Sequence, residues 1–423
     1  MPAAHITIYG GTITMKQNRT HTVKSCAAAL ALMLVLAGCA ADSSSAATIS
    51  PAATAAVTEE AASQSPASTT AVSTAVTVST SGQDSSDLFS ERDLAQTADT
   101  SDARTITVSD QSAVNITEEG VYILTGTAEN ATVTVSAPED AKVQLVLDGL
   151  NVINDTQAVI DVETADKVFI TTAENSVNEL TVSAFADGSS VDGVIFARCD
   201  LTVNGTGTLN ITSADNGIVG KDDLKITGST LNITAEDTAI EANDSISVND
   251  GVLTLTAKQD GLHAENDEDD TKGSVTILGG TLTVNAGDDA LHAQTVLQID
   301  GGQIDLSGGE GMEATQIVIN DGTITVNAMD DGINAGAKSD SLPVSITING
   351  GSLTVTMSSG DTDAIDSNGD LFINGGTITI SAQNPFDYDG QGQLNGGTLI
   401  VNGQQMTALS QQMTGGAKGG MRR

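Results

Sequence analysis

Two short stretches carry side chains that could do acid–base work: "GDDALHA" at 287–293 and "DTDAID" at 361–366. In the first, Asp288 or Asp289 could trade a proton with His292. In the second, carboxylates alternate with small residues. Paired carboxylates, one protonated as an acid and the other activating water across about 6.5–9.5 Å, are the requirement for inverting glycoside hydrolysis. The same residue types equally suit a cation site, or the turn of a repeated unit.

The rest of the chain favours repetition. Acid-rich turns recur as "SADNGI" (213–218), "AEDTAIEA" (235–242), "KQDGLHA" (258–264), "GGEGMEA" (308–314), "MDDGINA" (329–335) and "GDTDAIDS" (360–367). Aligned, they form one carboxylate column. Two unit charges about 4.8 Å apart repel by ~0.9 kcal/mol at the dielectric of water, and by ~3.5 at an effective value near 20. Such a column needs protons or cations. Asp, Glu and Asn with turn carbonyls suit Ca²⁺, which takes oxygen ligands. The candidate ligands are Asp215, Asp237, Asp260, Asp288, Asp289, Glu310, Asp330, Asp331, Asp361 and Asp363. A second calcium candidate is the insertion "ENDEDDTKG" (265–273), with Asn266, Asp267 and Asp269; a solvated loop explains it equally well. A further insertion, "GAKSDSLP" (336–343), leaves at the equivalent turn, and insertions gathered on one face mark a binding face. His263 and His292 share a column flanked by Glu241 and Glu313. They could hold Zn²⁺, although an outward polar position explains them as well.

The elements that must position these side chains follow from the motif G-x-[LI]-x-[IVL]-x. It recurs from Gly207 through Gly228, Gly251, Gly280, Gly302, Gly322, Gly351 and Gly376 to Gly397. Alternation of period two in Thr, Val, Ile and Asn means strands. Three short strand signals per repeat predict a right-handed parallel β-helix with three strands per rung. Looser strands over 104–206 supply the first rungs, and "SDLFSERDLAQ" (86–96) is expected to cap the open end.

The ends read as address and tether. A basic segment and an apolar run finish in Leu36-Ala37-Gly38-Cys39, a secretory signal with a lipobox. Residues 1–38 are therefore expected to leave, with Met15 the better start and the rung-like "HITIYGGTIT" (5–14) a product of a misassigned one. Lipid on Cys39 would hold the chain at the extracellular face of the cytoplasmic membrane. Residues 39–86, rich in Ala, Ser and Thr, form a flexible tether, 87–403 the folded domain, and 404–423 a disordered tail. Cys199, the one cysteine left over, is expected to be a small buried residue.

The chain has 16 basic and 55 acidic residues. Nucleic acid and anionic lipid headgroups are excluded as partners by charge, leaving the lipid anchor as the sole membrane contact. There is no Trp, and the mature chain keeps only Tyr122 and Tyr388, so the aromatic platform of many sugar-binding modules is missing. A monomer is expected.

The stretches "FSERDL" (89–94), "APEDAKVQLVLDGLNV" (137–152), "ADKVFITTAE" (165–174), "GIVGKDDLKITGSTLNIT" (217–234), "NDEDDTKGSVTILGGTLTV" (266–284) and "FDYDGQGQLNGGTLIVNG" (386–403) carry a family resemblance. The chain resembles secreted clostridial-type carbohydrate-binding domain lipoproteins over residues 87–403. That resemblance implies a right-handed β-helix holding calcium and binding cellulose or pectic acid, without a common catalytic activity. The competing reading is a pectin-degrading enzyme. Polygalacturonases share the Asp motifs, but their Gly-His-Gly and Arg-x-Lys elements are missing here. A pectate lyase needs Arg or Lys as base beside Ca²⁺, whereas Arg198 is isolated and Lys221, Lys225, Lys258, Lys272 and Lys338 are scattered like surface charges. A structural spacer or adhesin is the third reading.

Overall fold

The computed structural model describes residues 88–358 and 362–409. The chain divides into a unit Met1–Val78 and a unit Ser79–Arg423. The signal, Cys39, the whole tether, Asp361 and residues 410–423 lie outside the described residues.

The described part is all-β apart from one short helix, and its strands join in one sheet. Pairing is parallel except at the last strand. Strand Thr208–Ser213 pairs with Thr230–Ala235, and that with Val252–Ala257; this first ladder continues to Thr398–Val401. A second ladder runs through Asn216–Gly220, Ile240–Ala242, Leu262–Ala264 and the first half of Asp289–Ile299. A third runs through Asp200–Gly205, Asp223–Ile226, Ser245–Val248 and Ser274–Ile277. The strands of 104–206 join the same stack, as expected of its first repeats: Arg104–Thr107 pairs with Gly120–Glu129, and that with Lys142–Asn154.

Alternation explains the interior. Leu209, Leu231, Leu253, Leu282, Ile304 and Ile324 stack in register and are at most 1% exposed. Their Thr and Asn neighbours point outward, because successive side chains on a strand face opposite ways. The repeat glycine sits in the left-handed region at Gly280 (φ +88°) and Gly397 (φ +81°). One repeat departs from the glycine motif. Thr208 pairs with Thr230, so Ser229 and not Gly228 takes the glycine's place, at φ +70°. Its hydroxyl donates to the Asn204 carbonyl at 2.6 Å, which helps hold that turn.

Two expectations change. The 88–96 segment does not cap the open end. Its helix Glu91–Leu94, closed by a Ser90/Asp93 capping box, lies across the flank of successive repeats. Asp93, 1% exposed, pairs with Lys167 at 2.8 Å and accepts from Thr202 Oγ1 at 2.6 Å. Gln96 donates to the Thr227 carbonyl at 2.8 Å and accepts from Gly205 N at 3.0 Å. A buried carboxylate must sit where its partners are, and those partners are in mid-stack. Second, the tail does not begin at 404. Asn402 and Gly403, both at positive φ, turn the chain so that Gln404–Met406 pairs antiparallel with Thr398–Val401. An Asn-Gly turn is a strong hairpin signal, and it covers the edge of the last strand. The lysines lie at the surface as expected, in ion pairs: Lys221 with Glu241 at 2.8 Å, Lys258 with Glu236, and Lys272 with Asp244. Cys199 is buried, as expected, and burial pushes its thiol up to about 12.

Candidate functional site: a carboxylate and histidine ridge

The acidic turns do not stack as one column. Taking Leu262, Leu291, Met312 and Ile333 as the inward position of the second ladder, the residue two places earlier is Asp260, Asp289, Glu310 and Asp331, with Asp363 next in line. The residue three places earlier is Asp237, Asp288 or Asp330, joined by Asp215. The two aspartates of "GDDALHA" therefore differ. Asp288 is exposed, whereas Asp289 is 6% exposed and its backbone N–H donates to Asp260 Oδ1 at 2.9 Å. The two registers look alike in the sequence because a turn residue can be gained or lost without moving the strand.

The inner register meets a second polar column, one residue beyond the inward position: Glu241, His263, His292, Glu313, Asn334, Asp366 and Asp387 in successive pairing. His263 Nδ1 lies 2.6 Å from Asp260 Oδ2, and His292 Nδ1 lies 2.8 Å from Asp289 Oδ2 and 3.1 Å from Glu313 Oε2. Lys338 Nζ completes the set, 2.6 Å from Glu313 Oε1. Farther along, Asn334 Nδ2 donates to Glu310 Oε2 at 3.0 Å and to Glu313 Oε1 at 3.3 Å, and Asp363 N–H donates to Asp331 Oδ1 at 2.9 Å.

Crowding sets the protonation. Burial, then the charge of Glu313, push Glu310 up to about 8. Burial and the charges of Asp331 and Asp363 push Asp366 up to about 7. Burial raises Asp289, Asp288 and Asp331 as well. Burial opposes charge on His292, but hydrogen bonds to Asp289 and Glu313 outweigh it and hold the imidazole up at about 10. Burial likewise works against the Glu313 carboxylate, yet His292 and Lys338 keep it down at about 2. The ridge thus carries its own counter-charges near 292 and 338, and is short of them from Glu310 to Asp366.

That difference sorts the metals. The His263 and His292 rings are stacked, centroids 4.4 Å apart and 8° from parallel. A metal lies in the plane of each imidazole it binds, so one ion cannot serve both rings, and the Zn²⁺ reading loses its support. Asp289, His292 and Glu313 offer atoms within 4.8 Å of one another, but one of the three is a nitrogen already shared by both carboxylates. From Glu310 to Asp366 the donors are all oxygen. There Asn334 Oδ1 is buried with no hydrogen-bond donor, an acceptor of the kind a hard cation satisfies. Oxygen donors of this kind suit Ca²⁺ chemically, but among the described residues the groups whose ligand atoms come within 4.8 Å of one another are Asp260 with His263 and His292, Asp289 with His292 and Glu313, and Asp222 with Asp223 and Asp244, not the carboxylates from Glu310 to Asp366.

Of the expected ligands, Asp260, Asp289, Glu310, Asp331 and Asp363 share one register on successive repeats. Asp215, Asp237, Asp288 and Asp330 stand one register outward. The residues of the 265–273 insertion do not converge. Asn266 Oδ1 accepts from the backbone of Glu268 and Asp269, Asp269 Oδ1 accepts from Thr271, and Asp267 is exposed. The two insertions instead pack on each other: Ser339 and Ser341 hydroxyls donate to the Asp270 carbonyl at 2.7 and 3.0 Å, and Asp340 N–H to Asp270 Oδ2 at 2.8 Å. Asp366 and Asn334 were not foreseen as ridge members; the recurring x-Ala after the inward residue marks Asn334, whereas Asp366 is followed by Ser367. Nor was Lys338, which arrives from an insertion and leaves no periodic signal.

A family model described as carbohydrate-binding domain-containing protein matches residues 110–361 and 308–418. A carbohydrate-binding domain-containing protein of Acetivibrio thermocellus is 35% identical over 121 residues, 27% of this chain and 42% of its own length. The chain thus spans less than half of that relative. A solved structure described as a polysaccharide lyase-like protein from C. thermocellum, gadolinium derivative, is 26% identical with a TM-score of 0.43, covering 55% of this chain and 96% of that one. At that TM-score the likeness decides nothing about fold or activity. The family match takes in more than half of the residues, and the chain belongs to the carbohydrate-binding domain-containing protein family.

Proposed function

We propose that the chain binds plant polysaccharide, polygalacturonate or pectin or cellulose, without cleaving it, through a calcium-stabilised right-handed β-helix with three strands per rung. It works as a monomer at the extracellular face of the cytoplasmic membrane, lipid-anchored at Cys39. Family membership is the observation that carries the binding. The ridge supports the calcium: Glu310, Asp331, Asp363 and Asp366 would hold the ion with Asn334 Oδ1. Bound there, Ca²⁺ supplies positive charge that both protein and uronate oxygens can share. Without it, this chain's acidic excess repels an acidic glycan.

Lys338 bears on the lyase alternative. It stands beside the ridge, where a base for β-elimination belongs. Burial opposes its charge, but the ion pair with Glu313 outweighs burial and raises it, which favours the protonated amine over the free base. A hydrolase reading has one observation in its favour, the split between Glu310 near 8 and Glu313 near 2. Against it, the Asn334 amide nitrogen bonds both carboxylates and occupies the place of the water between them. Affinity-gel electrophoresis on polygalacturonate and on a cellulosic polymer, with and without EGTA, tests the proposal. Retention on polygalacturonate that EGTA weakens is expected, with no unsaturated or reducing products. Retention indifferent to EGTA contradicts calcium bridging, products contradict the non-catalytic reading, and no retention on any glycan favours a spacer or adhesin.

A further inference from the structure

With 55 acidic residues to 16 basic ones, a cation in this chain has carboxylates in excess to pair with. Among the described residues, Arg92 and Lys225 nevertheless form no ion pair. Both line a cavity of about 450 Å³ between the 88–96 segment and the flank of the repeats. Arg92 lies over the Phe169 ring at 4.3 Å and donates to the neutral Gln144 Oε1 at 3.2 Å. Lys225 donates to the Leu88 carbonyl at 2.6 Å and stands 5.9 Å from the centre of the Phe89 ring. Phe169 is 2% exposed and its face is taken, whereas Phe89 is half-buried at the cavity wall. The other wall lysines are engaged, Lys167 with Asp93 at 2.8 Å and Lys142 with Asp166 at 3.6 Å. Asp200 is the wall carboxylate outside those pairs and bears on both Lys167 and Lys225, while the charges of Glu119 and Asp93 act on Arg92 without a direct ion pair.

We propose that this cavity binds one carboxylated sugar ring, with its apolar face against Phe89 and its carboxylate between Arg92 and Lys225. The inference rests on the reading that the chain binds polysaccharide, and it names the sugar class and a second place of contact. Each part of such a ring has a counterpart. Aromatic carbon matches the C–H face of a pyranose, and guanidinium and ammonium donors match a carboxylate. A neutral sugar leaves both cations unanswered, and a bare anion leaves Phe89 unused. The volume falls in the range of small-molecule sites, about 300–1,000 Å³. Unlike the ridge, this contact needs no calcium.

The test is calorimetric titration of the full chain with trigalacturonate in EGTA, beside its methyl ester and inorganic phosphate. Trigalacturonate is expected to bind, with the ester about tenfold weaker, phosphate failing to compete, and affinity falling as salt rises. Lys225→Gln is expected to weaken the acid about tenfold at an unchanged thermal midpoint, and Phe89→Ala to weaken acid and ester alike. Equal binding of acid and ester, full competition by phosphate, or an unaffected Lys225→Gln variant overturns the assignment. Retention on polygalacturonate in calcium without trimer binding in EGTA overturns the cavity alone and leaves polysaccharide binding standing. Trimer binding without retention on the polymer supports the cavity and counts against the polymer reading.

Discussion

Replacing Glu310 by Gln separates the two ways in which the ridge can tolerate its own charge. Glu310 titrates near 8 in place of its ordinary 4.5, because it is buried and faces Glu313. An acid whose folded value is raised contributes stability fully below its unfolded value, and that contribution is lost as pH climbs through the folded one. At about 1.4 kcal/mol per tenfold change in proton affinity, full ionisation costs at most about 5 kcal/mol. Solvent reaching the half-buried carboxylate reduces the working figure to about 2–3 kcal/mol. Glu310→Gln keeps the shape and removes the titration. In EGTA the variant should match the wild type at pH 5 and exceed it by about 2–3 kcal/mol at pH 9. In millimolar calcium the order should reverse, because the variant has lost a ligand that the ion pays to deprotonate. Urea denaturation at pH 5, 7 and 9 in both media reads this directly, with hydrogen exchange of residues 310–335 reporting whether the change is local. A variant that is destabilised equally in EGTA and in calcium at pH 9 refutes the crowding argument.

His292→Asn leaves Asp289 and Glu313 buried without their imidazolium, and should cost about 3 kcal/mol or more near pH 7. Since His292 is held up at about 10 from 6.5, its contribution is complete below pH 6.5 and fades as pH rises through 10; denaturation of wild type and variant should converge there. Asp93→Asn should cost about 3–5 kcal/mol and expose the 88–96 segment to limited proteolysis, since Lys167 then sits buried and unpaired. Asp93 is held down at about 2 (burial opposes, the bonds from Lys167 and Thr202 outweigh it), so in the wild type its contribution is present above pH 3.8 and lost as pH falls through 2. Gly397→Ala should cost about 1–3 kcal/mol, measured by thermal denaturation, because at φ +81° a Cβ meets the Gly375 and Gly376 carbonyl oxygens at 2.7 Å.

Much of this was legible in the residues. The recurring Gly and the alternating Leu, Ile and Val carry both the strands and their stacking, because an inward position repeats only if the strands align. The single column of Glu241, His263, His292 and Glu313 was legible for the same reason. What stayed hidden lies where period two ends. Asp215 and Asp237 fell one register from Asp260, because turns change length without disturbing strand order. Lys338 and the mutual packing of Asp270 with Ser339 depend on where two insertions fold back. The lateral course of 88–96 depends on Asp93 finding Lys167, 74 residues later, a pairing no local pattern announces.

On the proposed function, the ridge holds calcium in exchange for protons. Calorimetric calcium titration at pH 7, repeated in buffers of different ionisation enthalpy, tests it most directly, because Glu310 near 8 and Asp366 near 7 must give up protons as the ion enters. Saturable binding with release of about one proton per ion is expected, both diminished in Asp331→Asn. Absence of calcium binding at millimolar concentrations, or binding with no proton release, contradicts it.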